Sequence, residues 1–450
     1  MHFVTSAPRG RARSRGTPIA CLIVMLAGVI AFSAPLLAAE SPLTLGLAQR
    51  IALERSRQIT SLDLAATASR EMAAAAGERP DPVVRLGVDN LPVDGSDRFS
   101  LTRDFMTMRR IGVMQEFTRP EKLRLRAQRF EIEAEKSGAE KSAAVAAIQR
   151  DTALAWLDRH YAEAMAQVVF EQAAEGRLEI EAADSAYRAG RGNQADTLAA
   201  RAALVTLDDR ASELNRRIRA AKTRLARWVG EAAERPLAGR PAVDSIPLGT
   251  RVSEHQLAHH PEIMALARQV EIASTEAKIA QANKKPDWSV ELMYSQRGSA
   301  FSNMVSIGVS VPWQWDQKNR QEREVASKLA MAEQARAQLD DMLQAHIAEV
   351  QMMVSEWEND RERLRRHESQ LIPIARERTQ AMLAGYRGNK ASLSDVLAAR
   401  RGEIDARMQA LQLEWDAARL WAQLNFLVPE GAEKAYPSSP SSTGPIKESK

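Results

Sequence analysis

One cysteine, Cys21, is all the sequence has in 450 residues. It stands at the start of an apolar run, whereas a lipoprotein cysteine would close that run, so lipid attachment is not expected. A mature chain lacking the N-terminal segment holds no thiol, which removes disulfides, thiolate metal sites and cysteine nucleophiles together. That suits an oxidising compartment. A second long hydrophobic run is also missing. Beyond Leu37 nothing approaches the ~18 residues of a spanning helix, so any membrane crossing is left to strands. Proline is absent from Glu121 to Arg235. No Gly-rich phosphate loop, zincin motif or nucleophile elbow is found, so neither an enzyme nor a bound cofactor is expected.

What is present begins with Arg9, Arg11, Arg13 and Arg15, then an apolar run from Ile19 to Leu37, then Ala38, Ala39 and Glu40. This order reads as a secretory signal peptide over 1–39, cleaved after Ala39. The formal net charge is +4, and the four arginines are the only formal charges in that segment, so about 411 residues with no net charge remain. A nucleic-acid partner is therefore not expected, because counterion release needs a basic surface.

Ala, Leu, Arg, Glu and Gln dominate from Glu121 to Arg235, the composition of long helices. At ~1.5 Å per residue, one helix from Pro120 to about Ala189 would be roughly 100 Å long, a coiled-coil or tunnel length. A second such stretch runs from Gln314, broken only by Pro373. The halves repeat: Tyr187-Arg188 precedes Asp196-Thr197-Leu198-Ala199-Ala200-Arg201, and Tyr386-Arg387 precedes Asp395-Val396-Leu397-Ala398-Ala399-Arg400, 199 residues apart.

Each half also carries two segments of period two. Trp288, Val290, Leu292 and Tyr294 alternate with Ser289, Glu291, Met293 and Ser295; Val305, Ile307, Val309, Val311 and Trp313 alternate with smaller or polar neighbours. Val84, Leu86, Val88 and Ile111, Val113, Phe117 repeat this in the first half. The polar connections, 90–104 and 297–302, suit hairpin loops. The expected organisation is a first repeat over 40–235 and a second over 236–429. The first has a helix, a β-hairpin at about 82–118 and a long helical hairpin with its tip at about 187–196. The second has a helix, a β-hairpin at about 287–313 and a tip at about 386–395. The Pro- and Ser-rich tail over 430–450 is expected to be disordered.

A sheet in lipid leaves no unpaired edge, and four strands cannot close a barrel. Three chains of four strands each give a 12-stranded barrel with apolar residues outward, so a homotrimer is expected in outer-membrane lipid. Val290, Leu292, Val305, Ile307, Val309 and Val311 are the expected lipid-facing residues. Trp288, Trp313, Trp315 and Phe117 stand where an aromatic girdle belongs. The competing reading is a small soluble sandwich inserted in a helical protein.

The signal, the repeated helical hairpin with its two tips, and the strand pairs together resemble the TolC family over essentially the whole mature chain. Within it, Phe105 to Val113 and Pro312-Trp313 to Arg320 resemble the heavy-metal cation efflux branch, similar to CzcC and CusC. The resemblance implies a mainly α chain whose trimer joins the barrel to a 12-helix periplasmic tunnel. It implies an exit duct for heavy-metal cations that works with a periplasmic adaptor (a membrane fusion protein) and an inner-membrane resistance-nodulation-division transporter. A duct for drugs or other small molecules is the alternative, and a periplasmic coiled-coil adaptor or scaffold a weaker one.

The resemblance also implies a periplasmic gate of acidic rings at Asp395, with Asp196 its counterpart in the first repeat. A second family acid is replaced here by Ala398. Read as residues alone, both aspartates are equally helix N-caps or early-turn acids. Gly190, Arg191, Gly192 and Arg387, Gly388, Asn389 turn the chain at the tips, where the resemblance implies adaptor docking. Met106, Met108 and Met114 share one parity and as thioethers offer weak contact to soft ions, although Met commonly fills irregular space. No built metal site is expected. His255 and His259 are spaced to share a helical face, with His260-Pro261 ending the local run, but two imidazoles alone make a poor metal site.

Overall fold

The computed structural model describes residues 41–190, 193–239, 242–247, 257, 259–388 and 390–429. The signal, Cys21, the tail, Arg191, Gly192, Asn389 and His255 lie outside these. The chain divides into two units, Met1–Ser41 and Pro42–Lys450, and the described helices and strands all lie in the second.

Two short helices, α1 (Leu45–Arg55) and α2 (Arg57–Gly77), open it, each N-capped by a hydroxyl: Thr44 accepts from the Leu47 amide and Ser56 from the Ile59 amide. Strands β1 (Val83–Asp89) and β2 (Met108–Phe117) come next, then α3 (Pro120–Arg188), a single helix of 69 residues. Pro120 sits at its start, where a missing N–H costs nothing. Helix α4 (Gln194–Val229) returns and closes in a 3₁₀ turn, Gly230–Glu234. The second half runs α5 (Pro261–Asn283), β3 (Trp288–Gln296), β4 (Met304–Ser310), α6 (Gln321–Arg366), α7 (Ile372–Arg387) and α8 (Leu393–Asn425). His260-Pro261 opens α5 rather than ending a helix, because His260 is its N-cap and Pro261 its first residue.

Pro373 does not break the second long helix. A π turn, His367–Leu371, joins α6 to α7. Proline offers no N–H to the carbonyl four residues back and its ring crowds that carbonyl; widening one turn lets the axis continue. The Ser369 hydroxyl donates to Arg365 O at 2.6 Å in the same turn.

The four strands form one antiparallel sheet in the order β1-β2-β3-β4. Its register places Val84 beside Val113 and Leu86 beside Ile111; Val113 beside Leu292 and Ile111 beside Tyr294; and Leu292, Val290 and Tyr294 beside Ile307, Val309 and Val305. Cross-strand partners share a face. One face is therefore apolar over most of its length, with Gln115 beside Val290 and with Arg109 and Gln296 at its far end, and the other holds Arg85, Arg110, Met114, Glu291, Met293, Ser295, Met304 and Ser306.

Helix α3 is the axis of the helical part, packed by α1, α2, α4, α5 and α8. Its buried positions are largely alanine, among them Ala134, Ala144, Ala146, Ala153, Ala155, Ala162, Ala173 and Ala183, which lets neighbouring helices approach closely. The main core gathers Trp156, Tyr161, Leu225, Val229, Trp421 and Phe426. Leu43 ties the N-terminal segment into it: its carbonyl accepts from Trp156 Nε1 at 3.0 Å, and its amide donates to Pro236 O at 2.8 Å. Asp158 is satisfied by Arg419 at 2.6 Å, Trp415 Nε1 at 3.1 Å and Arg224 at 3.5 Å, linking α3 to α8 and α4.

A largely buried ion pair anchors the sheet to the helices. Lys122 Nζ meets Asp287 Oδ2 at 2.8 Å with side-chain exposures of 4% and 17%, and the Arg119 amide donates to Asp287 Oδ1 at 3.0 Å. Burial opposes the charge on Asp287, but the donors from Lys122 and Arg119 outweigh it and hold its pKa below the usual value. Glu276 of α5 likewise joins Arg129 of α3, at 3.2 Å, to Lys328 of α6, at 2.8 Å.

Candidate functional site

The two faces of the sheet meet different surroundings. The apolar face is open: Leu86 is 75% exposed and Ile307 74%, with Val84, Ile111, Val113, Leu292, Val305 and Val309 also exposed. Contiguous bare Val, Ile and Leu on this scale mark a surface that another apolar phase covers. Val290 shares this face but is less exposed, and Val311 lies one residue past β4 and is exposed. At the helix-proximal end Phe117 stacks on Trp288, with centroids 4.5 Å apart, and Trp313 and Trp315 are 88% and 87% exposed. The opposite face carries charge in pairs, Arg85 with Glu291 at 3.1 Å and Arg110 with Asp89 at 2.6 Å.

The methionines fall differently from the sequence expectation. Met106 precedes β2, in the loop, where its amide donates to Asp104 Oδ1; it shares no strand with the other two. Met108 and Met114 are on the polar face, joined there by Met293 and Met304, and Arg85 approaches Met114 Sδ at 3.3 Å. The alternation of β3 and β4 carried this signal already, since Met293 and Met304 have the polar parity. Among the described residues no three His, Cys, Asp or Glu side chains are grouped to hold a metal.

At the far end of the helices the two tips differ in detail. Ser392 is the N-cap of α8 and forms a capping box with Asp395: the Ser392 hydroxyl accepts from the Asp395 amide at 3.2 Å, and Asp395 Oδ2 accepts from the Ser392 amide at 3.0 Å and from its hydroxyl at 2.6 Å. These bonds hold the Asp395 pKa below the usual aspartate value, and the side chain is exposed. Asp196 occupies the same third helical position in α4, but there Asn193 is the cap, accepting the Asp196 amide at 2.8 Å. Both acids are thus early-turn residues and neither is itself the N-cap. Gly190 has φ of 71°, the left-handed conformation that ends α3 at little cost, while Gly388 keeps a negative φ after Arg387.

Beside the tip lies a network that sequence reading missed. Arg400 of α8 reaches across to Glu175 and Glu179 of α3, approaching Glu179 Oε1 at 2.6 Å without the alignment of a hydrogen bond. Burial pushes the Glu179 pKa up and the Arg400 pKa down. The only sequence signal was the i,i+4 pair of acids on a helix face. His259 lies in a turn before α5, and the imidazole pairing that forms is between His260 and His346 of α6, with ring centroids 4.4 Å apart.

Among the described residues no helix is long and apolar enough to cross a membrane, which says nothing of a barrel. A mostly helical chain with a four-stranded antiparallel sheet of this kind has the fold of an outer-membrane channel subunit. Solved structures bear this out. The outer-membrane channel OprN superposes with a TM-score of 0.72 at 18% identity, over 86% of this chain and 90% of that one. CusC gives 0.73 at 14%, over 85% and 91%, and VceC of Vibrio cholerae 0.70 at 20%, over 85% and 95%. Residues 252–428 match the family of outer membrane efflux proteins. No curated relative matches the chain in sequence. The matched family and structures are transport ducts, not enzymes.

Proposed function

We propose that this chain is the outer-membrane exit duct of a tripartite efflux system, three copies closing a 12-stranded barrel above a helical periplasmic tunnel. The observation that carries the reading is the sheet: one face bare and apolar, the other charged and paired, with β1 and β4 each leaving an unpaired edge. In lipid such edges are satisfied only by closure, and β4 of one copy meeting β1 of the next achieves it. Crosslinking of the membrane fraction in mild detergent tests this: threefold species are expected, and a stable monomer or a water-soluble pool would refute it.

Heavy-metal cations are the proposed cargo, received through a periplasmic adaptor from a resistance-nodulation-division transporter. The branch-like segments at Phe105 to Val113 and Pro312 to Arg320 support this, as do thioethers on the polar face. Asp395 is proposed as the gate acid, its three copies concentrating negative potential at the tunnel mouth, with Asp196 contributing less. The tip turns around Gly190 and Gly388 are proposed as adaptor-docking points.

A further inference from the structure

The apolar face of the sheet is too short for the membrane it would cross. It runs from Trp288, level with Phe117, to Tyr294, level with Ile111, Leu86 and Val305; in the next row, Val88, Arg109 and Gln296, only Val88 is apolar. The six steps from Trp288 to Tyr294 span ~20 Å along the strand. At the ~40° tilt of membrane barrels the rise is roughly 15 Å, against an apolar band of ~25 Å. Trp313 and Trp315 extend the helix-proximal edge, whereas at the other end the strands add only Val88.

The β1–β2 connection, residues 90–107, stands at that other end and exposes Val93, Phe99, Leu101 and Phe105. It is a built structure. Arg297 of the β3–β4 connection donates through Nε to Phe105 O at 3.0 Å, and its guanidinium lies 5.0 Å from the Phe301 ring centre. Gly298 is pressed so closely on the loop that a Cβ there would clash with the Thr102 carbonyl oxygen. Asp104 Oδ1 accepts the Met106 and Thr107 amides at 2.8 and 3.0 Å, and the Phe99 amide donates to Pro92 O at 2.8 Å. Phe99 has φ of 55°, a conformation that aromatic residues rarely adopt, yet its ring is held out toward solvent.

We propose that this pinned loop is a lipid-contacting collar, which completes the apolar band by setting Phe99, Phe105, Val93 and Leu101 into the interfacial layer of the outer leaflet. The partner is lipid, at the depth where acyl chains meet headgroups. Irregular backbone is not tolerated in the hydrocarbon itself, but at the interface water satisfies what the loop's own bonds do not. Aromatic rings favour that layer, and Arg98 and Arg103 are placed to meet phosphates there. Continuity with the bare face of β1 and β2 selects lipid over the water-filled side.

The inference rests on the barrel reading, and the test separates the two. In a Cys21→Ser background, nitroxide is attached at Phe99→Cys, at Val309→Cys and at Asp196→Cys, and the full chain is reconstituted in phosphatidylethanolamine–phosphatidylglycerol vesicles. Collision rates with oxygen and with a water-soluble nickel chelate are then compared. The collar predicts nickel collisions at Phe99 at least threefold below those at Asp196 and an oxygen-to-nickel ratio between those of Asp196 and Val309. Adding Gly298→Ala should release the loop and raise the nickel rate at Phe99. A lipid signal at Val309 with free nickel access at Phe99 overturns the collar alone. A label at Phe99 shielded from both probes means burial against protein and overturns it too. Water access at Val309 overturns the barrel and the collar with it.

Discussion

Acid should loosen the helical part through His260. This imidazole is buried at the start of α5, its Nδ1 has no hydrogen-bond partner among the described residues, and its ring lies 4.4 Å from that of His346. Desolvation first, then the positive potential of His346 and Arg150, lower its pKa from 6.5 to about 4, although a hydrogen bond to the Leu427 backbone opposes the shift. The sign comes from proton counting. Between pH 4 and 6.5 the unfolded chain binds a proton that the folded chain refuses, so stability is full above about 6.5 and falls as pH drops toward 4. A shift of 2.5 units at ~1.36 kcal/mol each makes the loss about 3 kcal/mol per chain. Carboxylates also titrate below pH 5, so the measurement is a difference: urea unfolding of the parent and of His260→Gln, followed by tryptophan fluorescence at pH 7.0, 6.0, 5.0 and 4.5. The parent should lose its advantage progressively over that range. A parent-minus-variant difference that does not change with pH would show that His260 is charged or solvated in the folded chain, and the burial argument would fail.

Three further outcomes are expected. Val309→Arg should lower trimer yield far more than Ser310→Arg, by the ~2–4 kcal/mol of an arginine on a lipid face near the midplane; equal yields would mean the faces are exchanged. Lys122→Ala leaves Asp287 charged and largely buried at the root of the sheet, and should cost about 3–5 kcal/mol in denaturant unfolding. Asp395→Asn keeps the size and removes three charges per trimer, so cation selectivity in planar bilayers should fall while trimer yield holds; unchanged selectivity in an intact trimer would leave Asp395 only its capping bonds with Ser392.

Much of the fold was legible because its periods are long and uninterrupted. Strict alternation located β3 and β4, and the expected Val290, Leu292, Val305, Ile307 and Val309 fall on one face by register. Helix α3 begins at the proline that sequence reading placed first. Less legible were features that depend on backbone detail. Pro373 reads as a break, yet a π turn absorbs it, and His260-Pro261 reads as a stop, yet it is a start. Long-range pairing was hidden altogether. Nothing in the sequence says that Lys122 meets Asp287, or that Gly298 is glycine because Thr102 lies against it.

The repeated motif marks where such reading ends. Arg201 and Arg400 close the same six-residue pattern 199 residues apart, and sequence alone assigns them one role. In the fold Arg201 is exposed and approaches Asp184 at 3.5 Å within its own hairpin, whereas Arg400 is drawn under α3 toward Glu175 and Glu179. The cause is position. Helix α8 packs against α3 along one flank, so an arginine at that place is desolvated and must answer to acids of the other hairpin. Helix α4 presents Arg201 to water, where an ion pair contributes little. A duplicated sequence thus yields two unlike sites once its halves pack against each other, and a residue's role depends on the neighbour that packing supplies as much as on its motif.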